Sequence, residues 1–265
     1  MKSMKCRLLL MLAAVLFVGN IYAQDEKKSQ MYVVHEDQVK PSMLAEYEKT
    51  SKALADAMKK HNIQSTSWLS SVTDDFRYMW VTPIESMADL DDNSWWTELS
   101  EAMGNDALTE LMSGFGPCYD KHGDYVISMN KELTYMPDGI TQTPEGENYR
   151  KFYYIHHLPK DRAAMSKAMK GVKDLFASKN SEMNYRVYSN GFGTMDTFYM
   201  VAVSAKDPID MEQRSAANDK LLGEAAGPVF GKVMALATKF EEFTGNVRPE
   251  LSYKPKKDSR MAVDD

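Results

Sequence analysis

Apolar and polar positions along this chain change period several times, and the order of those changes occurs twice. Met31 to His35 is a short apolar and aromatic run, which predicts a strand. Pro41 suits the first turn of a helix, and Met43, Tyr47, Leu54 and Met58 then share one helical stripe. Two strands are predicted next, Ser65 to Val72 and Phe76 to Thr82, joined by the turn-forming Thr73-Asp74-Asp75. A helix from about Ser94 to Phe115 follows the intervals of Trp95, Leu99, Met103, Leu108 and Leu111, with Gly104 as its weak point. Gly116-Pro117 ends it, and Gly123 to Met129 reads as a last strand.

Lys131 to Tyr149 carries Pro137, Gly139, Pro144 and Gly146 among polar residues and reads as a linker. The pattern then restarts with a strand at Phe152 to His156 and a helical stripe through Ala164, Met165, Ala168, Met169, Val172 and Phe176. Tyr185 to Ser189 and Thr197 to Val203 form a hairpin around Asn190-Gly191-Phe192-Gly193. Asp207-Pro208 starts a helix, Asp as cap and Pro in the first turn, that runs to about Leu236 with a possible break near Gly227-Pro228. Thr238 to Thr244 closes the unit, and the Lys-, Pro- and Asp-rich residues from Arg248 onward read as a mobile tail.

One offset, 121 residues, carries His35 onto His156 and Tyr78-Met79 onto Tyr199-Met200. Gly116-Pro117 and Gly227-Pro228 match more loosely. Repetition on this scale constrains architecture. Each strand-helix-strand-strand-helix-strand unit predicts a four-stranded antiparallel sheet with both helices on one face. Tyr78 to Val81 and Phe198 to Val203 are apolar on both faces, which requires a cover on the other side of the sheet too. The expected fold is therefore α+β: two tandem ferredoxin-like repeats whose sheets pack face to face as a sandwich or intramolecular α/β-barrel. The boundaries are 1–23 signal peptide, 24–130 first repeat, 131–149 linker, 150–247 second repeat and 248–265 tail.

That order of elements, seen twice, with Val39-Lys40-Pro41 leading into Glu46-Tyr47-Glu48, resembles the dimeric α/β-barrel superfamily. Within it the likeness is to antibiotic-biosynthesis-monooxygenase-like, EthD-like and NIPSNAP-like domains, over nearly all of residues 31 to 245. The resemblance implies a fold shared by cofactor-independent oxygenases, isomerases, haem enzymes and members without known activity. It leaves function open.

Lys2, Lys5 and Arg7 before the apolar run Leu8 to Val18, and Ile21-Tyr22-Ala23 after it, form the pattern of an export signal cleaved after Ala23. Cleavage would leave about 240 residues, enough for one large core or two moderate ones. It would also move the net charge from −6 to −9, since three cations and no acids are lost. Such a protein is a poor partner for nucleic acid or an anionic membrane, and no second long apolar stretch predicts a span. Cys118 alone remains, so no internal disulfide can form, and a buried inert thiol is expected. Tandem repeats make a pseudo-dimer within one chain, compatible with a monomer or a homodimer.

His35 and His156, near the exits of the two first strands, could flank a pocket and move protons near neutral pH, or be copies of one structural histidine. Trp68, Tyr78, Trp80 and Tyr199 could line an apolar cavity or simply fill the core. Gln64 to Ser67 and Ser70-Ser71 are polar for a half-buried strand, as a pocket wall or an exposed edge would be. No metal is expected, because neighbouring residues in His35-Glu36-Asp37 and His156-His157 point to opposite faces. No cofactor is expected either. Haem-binding relatives carry a late axial histidine, whereas none follows His157 and His122 is placed before a strand rather than in a helix. The twenty methionines read as core filler, and Asn190 to Gly193 is a hairpin turn, not a phosphate loop.

No catalytic residue is assigned. The leading expectation is a small apolar molecule bound between the two sheets. The alternatives are a structural or partner-binding module, and a cofactor-independent oxygenase or isomerase of small aromatic substrates with His35 or His156 as base.

Overall fold

A computed structural model describes residues 29–256. The export signal and the end of the tail lie outside the described residues. The first half runs β1 (Ser29–Val39), α1 (Leu44–His61), β2 (Leu69–Thr73), β3 (Arg77–Ile84), α2 (Ser94–Met103), α3 (Asn105–Ser113) and β4 (Tyr119–Asn130). The second runs β5 (Tyr149–His157), α4 (Arg162–Ser178), β6 (Tyr185–Asn190), β7 (Phe198–Ala205), α5 (Pro208–Leu222), α6 (Ala226–Met234) and β8 (Ala237–Val247). All eight strands join one closed antiparallel barrel in the order β1-β3-β2-β8-β5-β7-β6-β4.

Each half contributes the same local order, β4-β1-β3-β2 and β8-β5-β7-β6, the arrangement of a ferredoxin-like sheet. Two short seams close the ring, Ser71 to Thr73 against Gly245 to Val247 and Ile127 to Met129 against Tyr188 to Asn190. Between the two alternatives of sandwich and barrel, the hydrogen-bonded seams decide for the barrel. They also give β2 a partner on each side, so its serines do not mark an exposed edge.

Helix boundaries follow local chemistry. Asp207 caps α5 by accepting from the Asp210 amide, with Pro208 in the first turn. The long helix of the first half divides at Gly104, whose φ of +92° suits glycine. The second divides at Gly223, not at Gly227-Pro228, which instead occupies the first turn of α6. Pro can stand there because its missing N–H has no helical acceptor.

An eight-stranded barrel is just wide enough for side chains to fill. Tyr32, Met79, Phe152, Tyr154, Tyr188, Phe198 and Met200 fill this one. Gln142, from the segment between the halves, stoppers one end: its amide donates to Tyr32 Oη at 2.8 Å and its carbonyl accepts from Tyr188 Oη at 2.6 Å. The expectation of a ligand between the two sheets is thus narrowed: the middle of the barrel is packed core, and a cavity of about 260 Å³ opens at the other mouth, beside Arg77, Tyr154, His156 and Phe198. The tail reading also needs correction for residues 248–256. Leu251 and Tyr253 are buried beside Trp68, whose indole donates to the Leu251 carbonyl at 2.8 Å, and Tyr253 Oη donates to the Ile63 carbonyl at 2.6 Å. Cys118 is buried, with its thiol 3.3 Å from the Gly114 carbonyl.

Candidate functional site

The two helical layers on the outside of the barrel pack differently. In the second half, Met165, Met169, Phe176, Tyr185 and Tyr199 fill the space between sheet and helices. In the first half, a cavity of about 370 Å³ remains between the outer face of β1-β3-β4 and helices α1 to α3. That size suits a small organic molecule.

Strand alternation and register build its floor. Val33, His35 and Asp37 are spaced by two along β1 and so point to one face. Opposite them stand Thr82, Trp80 and Tyr78 of β3, while Asp124 and His122 of β4 face His35 and Asp37. The helices and the approach to β2 supply the walls: Leu54, Trp95, Met112, Phe115, Thr66 and Trp68. Trp80 packs at 5.4 Å from Trp68 and edge-on at 6.1 Å from Phe115. A wider groove lined by Asp89, Asp92, Asn93 and Asp124 continues from Thr66, Thr82 and Trp95 toward solvent. Neither cavity nor groove is lined by a lysine or arginine.

A hydrogen-bonded chain organises the polar end. Trp80 Nε1 donates to Tyr47 Oη at 2.8 Å, and Tyr47 Oη donates to Asp37 Oδ2 at 2.6 Å. Asp37 is 3% exposed, and its other oxygen forms an ion pair with His35 Nε2 at 3.2 Å, without a well-aligned hydrogen bond. His35 Nδ1 donates to Asp124 Oδ1 at 2.9 Å. The Asp37 carboxylate, helped by Asp124 and opposed by burial, pushes the His35 imidazolium up to about 9. Burial and the Asp37 charge hold the Tyr47 phenol far above its ordinary value.

Of the six residues singled out from sequence, three meet here: His35, Trp68 and Trp80. Tyr78 shares the face but lies under α1, donating to Glu48 at 2.6 Å. Tyr199 belongs to the filled second half, stacked on His157 at 5.5 Å. His156 points into the opposite mouth of the barrel beside Phe198, 2.8 Å from Glu241. The two histidines are therefore not counterparts. The bulges after Gln38 and His156 place Val39 and His157 in matching positions, and Pro41 and Pro159 both open the turn before the helix. That offset is 118, even where 121 is odd, and a one-residue change of parity moves a strand residue to the other face.

Sequence reasoning missed Tyr47, Trp95, Phe115 and Asp124 as site residues, and weighed Asp37 and His122 as ligands only to set them aside. The expectation that no histidine cluster converges also fails: His35, Asp37 and His122 offer ligand atoms all within 4.8 Å of one another. His35 and Asp37 are two apart, not adjacent, and His122 lies within β4 directly across from Asp37. Alternation along β1 contained the first half of that signal.

Among known proteins, no family model and no curated protein matches the sequence. Solved structures do. An anthrone oxidase-like protein superposes with a TM-score of 0.53 at 16% identity, covering 84% of this chain and 92% of its own. A protein provisionally named a monooxygenase, from Fusobacterium nucleatum subsp. nucleatum, superposes with a TM-score of 0.51 at 11% identity, covering 86% and 98%. At such identities the likeness is one of fold: the chain has the architecture of the ferredoxin-like, dimeric α/β-barrel superfamily.

Proposed function

We propose that this protein binds a flat, apolar small molecule, neutral or cationic, in the outer cavity of its first half. The observation that carries this reading is a hollow of about 370 Å³ with three of the chain's four tryptophans on its wall and one buried, hydrogen-bonded carboxylate at its end. Aromatic faces supply contact area, and they attract cations through their quadrupoles. Asp37, Asp89, Asp92 and Asp124 outnumber the His35 imidazolium, and with no lysine or arginine on the lining they oppose an anionic ligand.

Tryptophan fluorescence tests it. Titration with 2-naphthol below its pKa, or with a naphthyl-methylammonium ion, should quench saturably, while 2-naphthoate should bind at least about tenfold more weakly. Thr82→Phe, which reaches into the cavity, should abolish the quench. An unsaturable response, or one unchanged in Thr82→Phe, contradicts the proposal.

A cofactor-independent oxygenase or isomerase is the second reading, supported by the histidine at the end of an aromatic cavity. The names of the two similar structures, anthrone oxidase-like and monooxygenase, are in keeping with it. It stands second because both His35 ring nitrogens already face carboxylates, which leaves no free base aimed at a substrate. Replacing His35 by Ala should abolish turnover with little change in melting if this reading holds. Export is proposed too, from the residue 1–23 pattern; the secreted chain should begin at Gln24 by N-terminal sequencing.

A further inference from the structure

We propose that His35, Asp37 and His122 form a binding site for one divalent first-row transition metal ion at the polar end of the cavity. Strand register brings them together. Asp37 of β1 and His122 of β4 are directly paired, and His35 is two residues from Asp37 on the same face.

The separation of His35 Nε2 and Asp37 Oδ1 points the same way. They form an ion pair at 3.2 Å, and the fully buried Oδ1 has no well-aligned hydrogen-bond donor. Two ligands on one ion at bond lengths of about 2.1 Å sit roughly 3.0–3.4 Å apart for angles between 90° and 109°. The pair, an ion pair when no metal is bound, is therefore also spaced as neighbouring corners of a coordination polyhedron. A buried carboxylate oxygen without an aligned donor is costly in a folded protein, and a metal ion would satisfy it in place of the imidazolium charge.

The surrounding groups fit as well. Metal-bound histidines hold their second ring nitrogen on a carboxylate or carbonyl, and His35 Nδ1 donates to Asp124 at 2.9 Å. The second oxygen of Asp37 is fixed by Tyr47 Oη at 2.6 Å, itself held by Trp80. His122 is exposed, its ring 5.6 Å from that of His35 and 5.1 Å from that of Tyr119, so it provides the solvent-side ligand and the route of entry. Two imidazoles and one carboxylate select zinc, cobalt, nickel or iron(II) over magnesium or calcium, which prefer all-oxygen sites. Three protein ligands leave at least one position open, and His35 and Asp37 both line the cavity. A molecule bound there would meet a Lewis acid at its polar end.

The site shares the cavity with the proposed ligand but does not need it, so the test contains no organic molecule. Tag-free full chain, stripped with chelator, is titrated with cobalt(II), followed by visible absorption, and with zinc(II), followed by calorimetry. One equivalent should bind saturably. His122→Ala, at an exposed position and harmless to folding, should weaken binding by at least about 30-fold, and Asp124→Asn by about 10-fold. His61→Ala, on α1 away from the cluster, should titrate as wild type. Binding far below one equivalent at millimolar metal, or equal affinity in His122→Ala and wild type, would overturn the proposal. Failure of the naphthol titration leaves this result untouched, and the reverse holds as well.

Discussion

Tyr47 ties the cavity to the core, and Tyr47→Phe isolates one oxygen atom of that tie. The side chain is fully buried, so Phe keeps the packing and opens no cavity. What goes is the 2.6 Å hydrogen bond to Asp37 Oδ2 and the acceptor for Trp80 Nε1. Asp37 is 3% exposed and its Oδ1 has the His35 ion pair but no aligned donor, so the metal-free variant holds a buried carboxylate left with that ion pair and no hydrogen bond. A hydrogen bond to a charged group contributes about 1.5–3 kcal/mol, and Trp80 borders the cavity, where water can replace its acceptor cheaply. The expected loss is therefore about 2–3 kcal/mol, or a fall in Tm of roughly 4–12 °C for a protein of this size. Thermal unfolding by circular dichroism at neutral pH, with chelator present, reads it. Repeating the change in an Asp37→Asn background turns the lost bond into a neutral one of about 1 kcal/mol, so a coupling of about 1–2 kcal/mol should emerge. A cost below about 0.5 kcal/mol, or equal costs in both backgrounds, refutes the claim that Tyr47 holds an ionised Asp37.

Three further outcomes follow from the fold. Gly245 lies at the β2–β8 seam, and a Cβ there would sit 2.2 Å from the Val72 carbonyl oxygen; Gly245→Ala should cost about 3 kcal/mol or more in urea unfolding, because backbone cannot yield. Gln142→Leu strands the hydroxyls of Tyr32 and Tyr188 at the stoppered end and should cost about 2 kcal/mol in the same assay, leaving cavity binding unchanged. Glu48 is held below the usual carboxylate range by hydrogen bonds from Arg248, with Tyr78 adding a third donor. A depressed folded value contributes stability above the unfolded value of about 4.3 and loses it as pH falls, so the Tm gap between wild type and Glu48→Gln should close between about pH 5 and 3. A gap that widens on acidification contradicts the pairing.

The fold was legible because the hydrophobic period changes cleanly. Phe198 to Val203 is apolar at consecutive positions, and in the barrel it does face packed side chains both inside, at Phe198 and Met200, and outside, at Tyr199 and Val203. The site was harder to read. Equating His35 with His156 came from matching aromatic runs, whereas Lys40-Pro41 and Leu158-Pro159 carry the helix-start chemistry that fixes the true offset. Residues 119–124 of β4 are mostly polar and exposed, so no alternation announced a strand there and His122 was left outside it. The cavity itself depends on how α1 to α3 sit over the sheet, a tertiary fact that no local pattern encodes.

The central claim is that the binding space lies outside the barrel, between the sheet of the first half and its helices. A crystal structure soaked with a bromonaphthalene locates that space directly through the anomalous signal of the halogen. The predicted result is bromine density between Trp80, Trp95 and Phe115, with none among Tyr32, Tyr154 and Phe198. Density inside the barrel, with the outer cavity closed by its own side chains, would contradict it.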